Sequence, residues 1–93
     1  MATKTLNFTK PAGSQIFEAT FDADDDFNLY IKFDRHHIAT YLSCRNSADE
    51  EWSETVKYDE NPFNHDVSYR VYPKQIRVTC KEQPTLARVT TND

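Results

Sequence analysis

Phe17-Glu18-Ala19-Thr20-Phe21, Phe27-Asn28-Leu29-Tyr30-Ile31-Lys32-Phe33 and Ile38-Ala39-Thr40-Tyr41-Leu42-Ser43-Cys44 are the runs that decide the fold. In each, nearly every second residue is apolar. A period of two places alternate side chains on opposite sides of a strand, so each run reads as a strand with one face in a core. The same alternation extends outward in both directions. Leu6 and Phe8 mark a strand near 3–9, and Trp52, Val56 and Tyr58 mark one near 52–58. Val67, Tyr69 and Val71 mark a sixth strand, Ile76, Val78 and Cys80 a seventh, and 86–90 a short eighth. No segment carries a helical stripe. The pattern predicts an all-β, antiparallel sandwich or partly open barrel of seven or eight short strands, loosely immunoglobulin-like in strand count.

Requiring apolar residues to share a face sets the expected registers. Phe21 pairs with Phe27 and Phe33 with Ile38, giving a three-stranded meander over 15–45. Its outer face then sets Tyr30 opposite Tyr41 and Asn28 opposite Ser43. Tyrosine offers a rigid apolar body with a polar tip, which suits a partner contact. A further hairpin pairs Val71 with Ile76 around Pro73, with Val67 opposite Cys80, Asp66 opposite Lys81 and Arg70 opposite Arg77. Two guanidiniums facing each other across a ladder repel unless an anion joins them. That anion is expected first on a neighbouring strand of the same chain, such as Glu54, second on an acidic patch of another subunit and third in a nucleic-acid phosphate. The pair therefore points to an acidic protein surface, with Tyr72 and Lys81 on the same face. The candidate partner-binding residues are therefore Tyr30, Tyr41, Arg70, Tyr72, Arg77 and Lys81.

The chain has 93 residues and a net charge of −4, which predicts one domain over 1–93 with a modest core. Surface scaling buries roughly 65% of the unfolded area at this size. Leu, Ile, Val and Phe number 19, which is low, but aromatics reach 13% and favour a folded chain. Trp52 reads as a core anchor, because a buried indole supplies a large apolar area. Residues 1–66 carry net −7 and residues 67–93 net +3, an asymmetry that can steer association, including with another copy of the chain.

Little in the sequence suggests catalysis. The single glycine, Gly13, excludes a glycine-rich phosphate loop. Cys44 and Cys80 match no zinc spacing and read as buried thiols. His36 and His37 are adjacent and would point to opposite faces of a strand, and His65 has no partner by spacing. Glu50, Glu51 and Glu54 have nothing to separate their pKa values. No catalytic residue, metal site or cofactor is expected. The acidic loop 22–26 fails the EF-hand spacing and reads as a solvated tip, with weak calcium binding left open.

Met1 to Lys10 has no apolar run of signal length, and no later stretch suits a membrane span. The expectation is a cytoplasmic chain, or one built into a particle assembled in the cytoplasm, with no membrane partner. A sequence pI near 5.3 argues against nucleic acid. The function expected is a non-enzymatic protein-interaction or structural module. It would be a small subunit of a larger assembly, such as a capsid or virion accessory or decoration protein, acting on a protein partner or as a homo-oligomer. The alternative is a β-sandwich that binds glycans or nucleic acid.

Overall fold

A computed structural model describes residues 2–23, 26–34, 38–59, 63–67 and 74–91. Among these residues there are eight strands: β1 Ala2–Thr5, β2 Phe17–Asp22, β3 Phe27–Lys32, β4 Thr40–Arg45, β5 Ser53–Tyr58, β6 Phe63–Val67, β7 Gln75–Cys80 and β8 Leu86–Thr91. They form two four-stranded sheets, ordered β1-β8-β3-β6 and β2-β7-β4-β5, and every pairing is antiparallel. The fold is an all-β sandwich.

The strand order has a simple origin. β4 turns back into β5, and the returning chain pairs β6 with β3, β7 with β2 and β8 with β1. The result is one long antiparallel ribbon. Rolling that ribbon adds the β3–β8 and β4–β7 pairings and closes the two layers. This is a jelly roll, whose eight strands form two sheets without neighbouring strands needing to pair. The resemblance to immunoglobulin domains stops at strand number and layering, since those domains pair their first two strands.

The core follows the alternation. Leu29, Ile31 and Val89 of one sheet and Ile76 and Val78 of the other are fully buried, and Leu42 and Cys80 nearly so. Leu6 and Phe8 are buried in the segment that leaves β1, where Leu6 N–H still donates to Ala87 O at 2.9 Å. One residue later the chain has changed layers. Thr9 and Glu18 exchange backbone hydrogen bonds of 2.9 and 2.8 Å, which covers part of the free edge of β2.

Two expected pairings are overturned. The 15–45 meander does not form, because β2 and β4 lie in one sheet and β3 in the other. Alternation states which face is buried and leaves the neighbour open, so facing strands satisfy it as well as paired ones. Phe21 and Phe27 do meet, as edge-to-face rings 5.1 Å apart at 84° between strands of opposite sheets. The hairpin around Pro73 is overturned as well. Both neighbours of β7 are taken by β2 and β4, and β6 pairs with β3, so Val67 faces Phe27 and Asp66 faces Asn28. β6 also begins earlier than the expected 67–71. Residues 68–73, and with them Arg70, Tyr72 and Pro73, lie outside the described residues.

Candidate functional site

The outer face of the β2-β7-β4-β5 sheet is built in rows. The registers place Asp22, Gln75 and Arg45 in a first row and Thr20, Arg77 and Ser43 in a second. Glu18, Thr79, Tyr41 and Lys57 make a third. Trp52 joins the first row because of a β-bulge. Leu42 pairs with Val56, but Cys44 pairs with Ser53, so β5 spends one extra residue opposite β4. Without the bulge, Trp52 would share the inward parity of Val56 and Tyr58. The extra residue flips it to the outer face, a familiar use of a bulge.

There the indole meets two cations. The guanidinium carbon of Arg45 stands 4.1 Å from the ring centroid and that of Arg77 stands 4.8 Å from it. Arg45 is held from several sides. Its Nε donates to Gln75 Oε1 at 2.6 Å, and its Nη1 donates to the carbonyls of Ala48 and Glu50 at 3.4 and 3.3 Å. The turn it grips is closed further by Asn46 N–H donating to Glu50 Oε2 at 2.9 Å. Arg77 Nε is buried without a hydrogen-bond partner. Among the described residues, no carboxylate forms an ion pair with either guanidinium. Ser43, opposite Arg77, is 2% exposed although it points outward. Beside this cluster lies an open depression of about 480 Å³ lined by Asp22, Asn46, Ser47, Lys74 and Gln75.

The expectation that Trp52 anchors the core is thus corrected: it is half-buried on an outer face. Of the residues expected to touch a partner, Tyr41 and Arg77 lie on this face. Lys81 is exposed just beyond β7. Tyr30 is on the opposite side of the molecule, where it faces Arg88 and Asn64 and carries the Arg88 guanidinium 4.8 Å from its ring. The Tyr30–Tyr41 pair therefore does not exist. The Arg70–Arg77 ladder pair does not exist either, since Arg77 faces Thr20 and Ser43. Sequence reasoning missed Arg45 and the outward Trp52, because no local signal announces the bulge.

The other candidates fall in separate places. Cys44 and Cys80 are buried free thiols on adjacent strands. Cys44 faces Ile76 and Cys80 faces Thr40, four residues along the ladder, roughly 13 Å away and beyond disulfide reach. Burial pushes the Cys80 thiol up from 9.0 to about 12, and its Sγ donates to Glu82 O at 3.1 Å. His36 and His37 lie outside the described residues, as do Asp24 and Asp25 of the acidic loop. Ala23 of that loop is 3% exposed, its N–H donating to Lys74 O at 3.1 Å. Among the described residues, no cluster of three His, Cys, Asp or Glu could hold a metal, and no helix is long and apolar enough to cross a membrane.

No protein family, curated protein or solved structure matches the chain.

Proposed function

We propose that the chain is a non-enzymatic protein-interaction or structural module. It serves as a small subunit of a larger assembly, of the kind a capsid accessory or decoration protein represents, in the cytoplasm or in a particle assembled there. The observation that carries this reading is the Trp52 cluster, a half-buried indole on an outer face flanked by Arg45 and Arg77. Trp and Arg dominate the energetics of protein interfaces. A guanidinium already laid on an aromatic ring and tied to Gln75 loses little rotamer freedom when a partner arrives. Tyr41 and Lys57 extend the same face, so the surface offered is broad rather than a pocket.

The test is the mass of the native particle with which the protein purifies, repeated with Trp52→Ala combined with Arg77→Ala. The expected result is an assembly larger than 10.9 kDa that the double variant leaves while keeping its β circular dichroism. A free monomer with no partner would overturn the reading. Specific binding of this face to a glycan or an oligonucleotide would replace it.

A further inference from the structure

The acidic and basic side chains of this outer face are sorted by strand. Among the described side chains of its strands, the acids Glu18 and Asp22 are both on the edge strand β2. The bases among the described side chains are Arg77 on β7, Arg45 on β4 and Lys57 on β5, the far edge. A face that is acidic at one edge and basic at the other complements itself. Under a two-fold axis parallel to the strands, the order β2-β7-β4-β5 meets β5-β4-β7-β2 and each row meets its own copy.

We propose that the protein forms a face-to-face homodimer through this sheet, resting on the reading of the face as a protein contact. The third row then sets Glu18 of one copy over Lys57 of the other, and the same pair recurs by symmetry. The first row sets Asp22 over the Trp52–Arg45 end of the partner. Lys57 is available for this. Its ion pair with Asp59 is 3.7 Å long between side chains 55% and 66% exposed, a geometry that contributes little. Aligned sheets pack about 10 Å apart, which long side chains such as Lys, Glu and Arg span. The sheet face measures on the order of 20 Å by 20 Å, about 800 Å² over both copies, so the dimer is of the weak, transient class and depends on salt.

The decisive experiment uses Glu18→Lys, Lys57→Glu and the double reversal in the full chain, with sedimentation equilibrium at low and high salt. Within one chain Glu18 and Lys57 are on opposite edges of the sheet, three strand spacings or roughly 14 Å apart. Rescue by the double variant can therefore arise only between copies. Wild type is expected to dimerise at low salt. Each single reversal creates two like-charge contacts and should raise the dimer Kd about tenfold or more, with the double returning to within about threefold. A wild type that stays monomeric at millimolar concentration would overturn the dimer, as would single reversals without effect or a double variant no better than the singles. Retained capture of a native assembly by such a monomer, lost in Trp52→Ala, would leave the broader reading of the face intact.

Discussion

The two outer faces of the sandwich handle their polar groups in opposite ways. On the β1-β8-β3-β6 face the side chains pair locally: Asn28 Nδ2 donates to Asp66 Oδ1 at 2.9 Å, Thr3 and Thr90 share a hydroxyl hydrogen bond of 2.9 Å, and Arg88 rests on Tyr30. On the β2-β7-β4-β5 face two arginines crowd one indole. Among the described residues, Arg77 Nε on this face is buried without a partner; the other such atom, Thr40 Oγ1, is in the same sheet but on its inward side. A face whose groups satisfy one another has little to gain from a partner. A face that, among its described side chains, holds charge over an aromatic ring without an ion-paired carboxylate gains from one.

That contrast concerns surfaces, so it should vanish in the core. Leu29 in one sheet and Leu42 in the other are 0% and 1% exposed. Leu29→Ala and Leu42→Ala should each cost about 2–5 kcal/mol, from lost transfer energy plus a cavity. Urea denaturation checks this. A difference of several kcal/mol between them would mean that the sheets differ in stability, and not only in surface chemistry.

Both cysteines lie in the β2-β7-β4-β5 sheet, so thiol chemistry reads that layer alone. The folded state holds Cys80 as the neutral thiol up to about pH 12, whereas the unfolded chain ionises near 9.0. Above pH 9 the unfolded state loses protons that the folded state keeps. Its stabilising contribution is therefore complete below pH 9 and falls by about 1.4 kcal/mol per pH unit toward pH 12. Cys80→Ala should flatten this slope in alkaline denaturation while lowering stability at neutral pH. An unchanged slope would assign the alkaline loss to other groups.

The faces themselves are separated by Trp52→Ala and Tyr30→Ala. Removing Trp52 ends two cation–ring contacts and the burial of a half-buried indole, which should cost about 2 kcal/mol. Removing Tyr30 ends one exposed contact and should cost about 0.5–1 kcal/mol. Equal losses on thermal melting would erase the difference between the faces. Thr40→Val probes the second unpaired group. Thr40 is fully buried and its hydroxyl lacks a partner, so the valine should stabilise by about 1 kcal/mol. A loss of stability would show that the hydroxyl is satisfied.

The sequence made the layers legible and left the wiring hidden. Alternation at Phe27-Leu29-Ile31 or Ile76-Val78-Cys80 is a local property, and it placed those residues inward as found. The partner of a strand is a distant property. β1 with β8 and β2 with β7 join residues more than fifty positions apart, and nothing local to Phe17 names Cys80 as its neighbour. The nearest-neighbour assumption therefore produced a meander where the chain changes sheets. The candidate site suffered from a smaller defect of the same kind. One extra residue in β5 reverses the parity of Trp52, and a sequence pattern cannot count a bulge it has no glycine to mark. Tyr41 and Arg77 point outward as expected, because their parity survives any choice of neighbour.

The smallest expected effect is on the self-satisfied face. Asn28 and Asp66 are directly opposed on β3 and β6, and their side chains are joined by a hydrogen bond to a carboxylate in an exposed setting. Water competes for both groups, so a double-mutant cycle with Asn28→Ala and Asp66→Ala should give a coupling energy of about 0.5 kcal/mol. The coupling should fall only slightly with salt, because one partner is neutral. If the pair is local and complete, neither variant changes the sedimentation behaviour of the protein. A change in association on removing Asn28 would mean that this face also takes part in contact, and the division of labour between the two faces would have to be abandoned.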